Sequence, residues 1–478
     1  MTNQIITIVK EDWRYWYRSK VATVMMLITL LLAIASSLTT YASIETASHQ
    51  RLHLQQQSES AFLEQPDRHP HRMVHYGHYV FRAPAPLSII DPGVDLYTGT
   101  TIFLEGHRQN STMFSSQQLS SGLSRLGNLT PAFLMQVLVP LLLILVGYST
   151  ISRERESGTI QFILSQGISA TTFILGKLCS LMLVGAVFTL PILIASIYTL
   201  VQGESLVVIL TFIMTHLLYL LVWCGIVIAC SSLSKKSNSS FVLLVAVWIF
   251  FSLLLPRIAA STAASMKPSP SKLEADFEVL KELRKLGDGH NASDPAFEQL
   301  KAKLLDQYKV EQVEELPVNF RGVVAQKSEA DLTHVLNQFA EKRMSEELEQ
   351  AKIARVFGWL SPTIALRTTS MMLAGTNLET HHRFLRVAEK VRFEFVQGLN
   401  KVHEKTLSYQ DDINRYKDSE TQQKARVSSE NWSLLNDFRF TIDKPQIRLA
   451  SSIESVIHLV FWIGLIVFLL TFSRRALQ

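Results

Sequence analysis

The stretch that decides the fold is residues 131–177, PAFLMQVLVPLLLILVGYSTISRERESGTIQFILSQGISATTFILGK. Its first part, 131–151, is an apolar block without a charged side chain. At ~20 residues such a block crosses a ~30 Å hydrocarbon core as a helix. A charged turn follows, Arg153-Glu154-Arg155-Glu156-Ser157-Gly158, then the short amphipathic run Thr159 to Leu164, and the next apolar block starts at Phe173. Working outward, the same criterion finds apolar blocks at 22–41, 173–201, 205–230, 241–255 and 453–472. The expected fold class is therefore an α-helical polytopic membrane protein with six transmembrane helices, at 21–42, 131–151, 173–201, 205–231, 239–257 and 451–473.

Charge tests that count, because Lys and Arg near span ends are retained on the cytoplasmic side. Lys10, Arg14, Arg18 and Lys20 precede the first span, Arg153 and Arg155 follow the second, Lys235 and Lys236 follow the fourth, and Arg474 and Arg475 follow the sixth. With six spans all four clusters share one side. Both ends of the sequence, including the tail 474–478, are then cytoplasmic, as is the loop 152–172, and the segments 43–130 and 258–450 lie outside. The first span is read as an uncleaved anchor, since its block is long for a signal peptide and Glu11 and Asp12 precede it.

In residues 1–20, Ile5, Ile6, Val9, Trp13, Trp16 and Tyr17 recur at helical spacing while Lys10, Arg14 and Arg18 lie off that stripe. This reads as an interfacial amphipathic helix with aromatic anchors; an N-terminal extension of span one is the alternative. Segment 258–450 is rich in Lys, Glu, Asp and Gln and reads as a large, mainly helical domain. Its stripes are Leu273, Phe277, Leu280 and Leu283; Phe297, Leu300 and Leu304 behind the Asp294-Pro295 start; and Leu332, Val335, Leu336 and Phe339. Near-heptad spacing of Phe384, Ala388, Val391, Phe395 and Val402 suggests long paired helices. The stretch 356–375 reads either as a helix against the outer leaflet or as a buried helix of that domain. Segment 43–130, with Pro70, Pro84, Pro86, Pro92 and Gly93, is expected to form short strands and loops, which makes the outer region α+β.

The net charge of +5 is small for 478 residues and no basic block of the nucleic-acid type is present, so no nucleic acid partner is expected. Cys179, Cys224 and Cys230 all fall inside spans, which argues against a disulfide framework.

The run from Arg153 through Gly167 and Ile168 to Gly176-Lys177, placed after span two, resembles the cytoplasmic loop of ABC type-2 transporter permeases: an acidic-basic patch, Gly-Thr, a short amphipathic helix, and Gly-Lys at the next span. The resemblance implies a coupling helix that docks on an ATPase subunit, with Arg153, Glu154, Arg155, Glu156, Gly158, Thr159, Phe162, Leu164 and Gly167 as ATPase-coupling residues. Gly176-Lys177 is no phosphate loop, because Thr171 stands where the first glycine is needed and Leu178 replaces Ser/Thr. No cofactor is therefore expected in this chain, and ATP with Mg belongs to a partner ATPase. The segments around His69-Pro70-His71, Asp91-Pro92-Gly93, Gly106-His107 and His381-His382 are similar to a little-characterised subgroup of these permeases with a large second periplasmic domain. That subgroup implies paired permeases beside an ATPase, and an envelope role in the inner membrane of a bacterium.

Several residues invite chemistry. His69, His71, His75 and His78 lie within ten residues, and imidazole is a common Zn or Cu ligand; a hydrogen-bonded structural segment is the other reading. His216 sits in mid-span four, facing a cargo pathway or bonded neutral to another helix. Gln136 and Pro140 lie in span two, where Pro140 is expected to kink the helix and suit a gate. Catalytic residues are not expected: no G-x-S-x-G motif occurs, and the chain reads as a non-enzymatic permease subunit.

The reading is a permease subunit of an ABC exporter that dimerises with a second copy or a paralogue, binds two ATPase subunits, lies in the lipid bilayer, and reaches periplasmic or outer-membrane partners. Two alternatives stand beside it: a machine transmitting ATP-driven motion to envelope proteins, and an anchored periplasmic binding or sensor protein without an ATPase. Cargo is not named by these residues.

Overall fold

The computed structural model describes residues 2–113, 129–434 and 438–477. Six of its helices are long and apolar enough to cross a membrane, and the chain is an α-helical polytopic membrane protein. In hydrocarbon the backbone must satisfy its own hydrogen bonds, which is why each apolar block closes into a helix.

Helix α1 (Thr2–Ser19) is separated from α2 (Val21–Leu63) by Lys20, whose φ of 54° ends the helical path. It is thus a separate helix rather than an extension of the first span. Ile8, Asp12 and Trp16, four residues apart, form its buried face, whereas Ile6 and Tyr17 of the expected stripe are exposed. That face lies on the start of the third span: Gly176 leaves room for Ile8, and Lys177 Nζ meets Asp12 Oδ1 at 2.5 Å with both side chains buried.

Helix α2 corrects an expectation. Its 43 residues extend ~65 Å, twice the hydrocarbon thickness, so residues 43–63 continue as helix where strands and loops were expected. No glycine or proline interrupts the sequence before Pro66. Beyond it come α3 (Pro70–Tyr76) and the antiparallel pair β1 (His78–Phe81) and β2 (Thr101–Leu104), in register His78 to Leu104.

The second span runs through a π turn (Leu134–Leu138) into α4 (Val139–Gly147). The loop after it holds α5 (Ser152–Glu156) and α6 (Thr159–Ser165). Spans three and four are α7 (Ala170–Val201) and α8 (Leu206–Leu233); the fifth is α9 (Ser237–Ile249), a π turn (Phe250–Leu254) and α10 (Leu255–Met266). In spans two, three and four 50–56% of the apolar window is buried, against 17–28% in spans one, five and six. The former make the centre of the bundle.

The second insert comprises α11 (Lys272–Leu283), α12 (Glu298–Tyr308), α13 (Phe320–Val356), α14 (Pro362–Ala374), α15 (Leu378–Thr406) and α16 (Tyr409–Asn414) before the last span, α17 (Pro445–Leu477). Long paired helices are present: α13 and α15 pack together, with Gly322 against the Glu404 backbone and Arg392 Nη1 2.5 Å from Glu329 Oε1. The stripe Leu273, Phe277 and Leu280 forms on α11 but is exposed, so it adds nothing to that core.

The two inserts share their cores. Phe62, Met73 and Val74 of the first pack with Phe395, Leu399 and Trp432 of the second, and Val80, Ile102 and Leu104 pack with Phe384, Ala388 and Phe438.

Residues 356–375 match neither expected placement fully. The chain leaves α13, turns at Phe357–Trp359 and returns as α14, which is buried against α8 and α17. The turn is held by Trp462 Nε1 to the Gly358 carbonyl (3.1 Å), Ser361 Oγ to the Phe251 carbonyl (2.8 Å) and Thr363 Oγ1 to Tyr219 Oη (3.0 Å). Tyr219, Ser252 and Trp462 each lie about 12 residues, or ~18 Å, along their helices from Ser231, Ser240 and Arg474 at the loop end of the bundle. The turn therefore contacts the bundle part-way along its spans, ~18 Å from the loop end of helices that need ~30 Å to cross a hydrocarbon core. Gly358 and Ser361 of the turn are buried, whereas Trp359 and Leu360 expose apolar side chains.

Candidate functional site

The loop after span two is a braced structure. Ser231 Oγ on α8 accepts from Ile151 and Ser152 N–H (both 3.0 Å) and donates to the Tyr148 carbonyl (2.8 Å), tying the end of span two to span four. Glu156 Oε2 accepts from Ser237 N–H (3.1 Å) at the start of span five, and Arg155 donates to the Ala476 carbonyl (2.8 Å) in the last helix. The Arg153 guanidinium lies 3.5 Å from the Tyr15 ring centre and pairs with Glu154 at 2.9 Å; Glu154 also accepts from Thr159 Oγ1. Gly158, at φ 75°, supplies the left-handed turn from α5 into α6. The four charged residues brace the loop, Glu156 while itself exposed, and Ser157, Thr159, Gln161, Phe162, Ser165 and Gln166 are exposed beside it. Phe162 is 71% exposed, while Leu164 packs inward and Ile160 is buried. Gly167, at φ 81°, ends α6, and Ser169 caps α7 by accepting from Thr172 N–H (3.1 Å).

Inside the bundle, Pro140 lacks the N–H that reaches back four residues to Gln136, and the π turn accommodates this gap. The freed Gln136 carbonyl accepts from Tyr219 Oη, and the neighbouring Val137 carbonyl accepts from Trp248 Nε1 at 2.9 Å. Through Tyr219, Thr363 and Ser361 this irregularity joins spans two, four and five to the start of α14. The Gln136 side chain reaches Asp91 Oδ2 at 3.4 Å in the first insert. His216 is buried and donates from Nδ1 to the Phe212 carbonyl of its own helix (2.8 Å), not to another helix, and its Nε2 has no partner. No hydrogen bond joins it to Gln136 among the described residues.

The four histidines expected to act together are distributed over three places. His78, on β1, is buried beside Phe62 and Phe395 with Nδ1 unpartnered, and burial holds its imidazole down to about 4. His69 caps α3 through Nδ1, accepting from His71 N–H (3.2 Å), and its Nε2 lies 3.1 Å from Asp412 Oδ1. His403 Nε2 lies 2.6 Å from the other Asp412 oxygen, which Asn319 also reaches at 3.2 Å. Burial would raise the Asp412 pKa, but hydrogen bonds from His403 and His69 outweigh it and keep the group well below its ordinary value. This is a closed hydrogen-bonded hub: both ring nitrogens of His69 are used.

Only His71 and His75, one turn apart on α3, remain together, with Nε2 atoms 3.2 Å apart. His107 and His290 join them, and one ligand nitrogen from each of the four lies within 4.8 Å of the others. Neither His107 nor His290 stood out in the sequence as a ligand. Signals existed: Gly106 permits the close approach of its turn to α3, where a Cβ would sit 2.1 Å from Val74 Cγ1, and His107 itself adopts φ 65°, uncommon outside glycine. Burial and the neighbouring histidines hold the His71 and His75 imidazoles below their ordinary range. His382 Nε2 meets Glu347 Oε2 at 2.6 Å, an interhelix bond between α15 and α13.

Residues 102–272, from β2 through the fifth span, match the family model described as ABC-2 family transporter protein. Residues 273–441 match a model described as domain of unknown function (DUF3526), which begins at α11 and covers most of the second insert. No match is found among curated proteins.

Proposed function

The chain is a membrane subunit of the ABC-2 transporter family, and from that premise we propose that it is the permease of a bacterial ABC exporter driven by separate ATPase subunits. The observation that carries this is the braced loop with an aromatic tip. Phe162 projects from α6, while Glu156, Arg155 and Ser169 fix the loop to spans five, six and three. A push on Phe162 is thus delivered to several spans at once. ATP and Mg are bound by the partner, and this chain contributes no catalytic residue.

The subunit works as a dimer with a second copy or a close paralogue. The fifth span supports this, since only 17% of its apolar window is buried and a groove along Asn238, Val242, Leu243 and Ala246 is open. Both ends of the sequence and the 152–169 loop lie in the cytoplasm of the inner membrane, and the joined inserts stand in the periplasm. Gln136, Pro140 and Tyr219, linked to α14, form the gate that changes packing when the loop moves.

Mild-detergent purification from the native membrane, with mass spectrometry of retained proteins, tests the proposal. Wild-type chain is expected to retain an ATPase with Walker motifs, and Phe162→Glu to insert normally but lose it. Recovery of no ATPase with wild type, or equal recovery with the variant, overturns the reading.

A second reading is favoured by one feature, the continuous path from α13 through the turn at Phe357–Trp359 into the bundle. Motion of the spans would then drive the inserts against an envelope protein. This reading requires ATP turnover that responds to such a protein without accumulation of a small molecule or lipid across a reconstituted bilayer.

A further inference from the structure

We propose that His71, His75, His107 and His290 bind one late first-row divalent ion of the Zn or Cu class, clamping the first insert to the second. The proposal does not depend on the transport reading.

The chemistry begins with which nitrogens are free. His107 Nδ1 lies 3.0 Å from Glu329 Oε2, so it carries the proton and leaves Nε2 as a lone pair; that Nε2 is buried and has no hydrogen-bond partner. His290 Nδ1 is likewise engaged by Asp288 Oδ1 at 3.2 Å, leaving Nε2 free. A carboxylate on the far nitrogen fixes the tautomer and ring direction and raises ligand basicity, the arrangement that metal-bound histidines use. Glu329 is suited to this. It is buried, and its other oxygen, Oε1, lies 2.5 Å from Arg392 Nη1, which fixes the carboxylate in place.

The other pair faces inward from α3. Their Nε2 atoms lie 3.2 Å apart, a separation at which two lone pairs repel unless a proton or a cation lies between them. Metal–nitrogen bonds of ~2.0–2.1 Å in a tetrahedron place neighbouring ligand nitrogens about 3.3 Å apart. The His71–His75 spacing already has this value, and all four ligand atoms lie within 4.8 Å of one another. Four imidazoles without a thiolate or a carboxylate in the inner set select a borderline ion over Mg or Ca. Access is available: His75 and His290 are exposed, and a cavity of about 130 Å³ beside the cluster is lined by His69, His71, His290, Arg321, His403 and Arg415.

The site joins distant chain. Three ligands come from 71–107 and the fourth from 290, in the turn before α12, so the ion ties that turn to α3.

The test uses the full chain in detergent, stripped with chelator and titrated separately with Zn and Cu. One ion per chain is expected, lost in His75→Ala and His290→Ala, both exposed positions, and retained in His78→Leu. Asp288→Asn is expected to weaken affinity about 10–100-fold. Cu-loaded protein should show nitrogen hyperfine splitting in its electron paramagnetic resonance spectrum, absent in His290→Ala. Unchanged stoichiometry in both alanine variants, or a Cu spectrum that His290→Ala leaves intact, overturns the proposal.

Discussion

Tyr219→Phe removes a single oxygen whose role can be isolated by pairing it with Pro140→Ala. The Tyr219 hydroxyl donates to the Gln136 carbonyl and lies 3.0 Å from Thr363 Oγ1, with all three groups buried. A buried acceptor left without a donor costs about 1–3 kcal/mol. Thr363 loses less, because Ser252 Oγ stays 3.4 Å away. In a Pro140→Ala background the new backbone N–H reaches back toward Gln136, the carbonyl is satisfied within the helix, and Tyr219→Phe should cost only about 0.5–1 kcal/mol. The two changes are therefore expected to couple by about 1–2 kcal/mol. Denaturant unfolding of the wild type, both single variants and the double variant in mixed micelles measures this directly. Additivity within about 0.3–0.5 kcal/mol would refute the claim that Tyr219 substitutes for the donor that Pro140 removes.

Two further outcomes follow from buried ionisable groups. Asp12→Ala leaves Lys177 buried and unpaired, a loss of about 3–5 kcal/mol that should free α1 for proteolysis; Asp12→Leu with Lys177→Met should restore protection, since a well-packed apolar pair replaces the ions. His78, neutral in the fold down to about pH 4, protonates more readily in the unfolded chain, where its pKa is ~6.5. Its contribution is complete above ~6.5 and is lost as pH falls towards 4, amounting to roughly 3 kcal/mol. His78→Leu should flatten that part of the stability profile in metal-free protein, and an unchanged slope would show that His78 is not buried as described.

What the sequence made legible differs from element to element for physical reasons. The spans were readable because hydrocarbon imposes a length of apolar residues and charge imposes a side. The continuation of α2 through residues 43–63 was also readable, in the lack of any glycine or proline before Pro66, but the prolines after it drew the whole segment toward loops. Helix α14 was not. Its thirteen residues are too few to span, its hydroxyls suit either water or a polar interior, and only the partners Tyr219, Phe251 and Trp462 decide between them. The histidine cluster was half legible: the spacing of His71 and His75 places them on one face of α3, whereas His290 arrives by tertiary packing from far along the chain. The same packing takes His69 to Asp412 and His78 into an aromatic pocket, so histidines close in sequence are separated in the fold. In the loop, the bonds of Arg153 to Glu156 with Tyr15, Thr159, Ser237 and Ala476 were not legible, because they depend on contacts from other elements.

The central claim, that α6 is where an ATPase pushes, is tested most directly by placing a photo-crosslinking amino acid at Phe162 and irradiating native membranes. The account predicts a single crosslinked partner carrying Walker motifs, with no such product from the same probe at Val242 on the fifth span. Crosslinks from Phe162 only to lipid, or an ATPase captured equally from Val242, would contradict it.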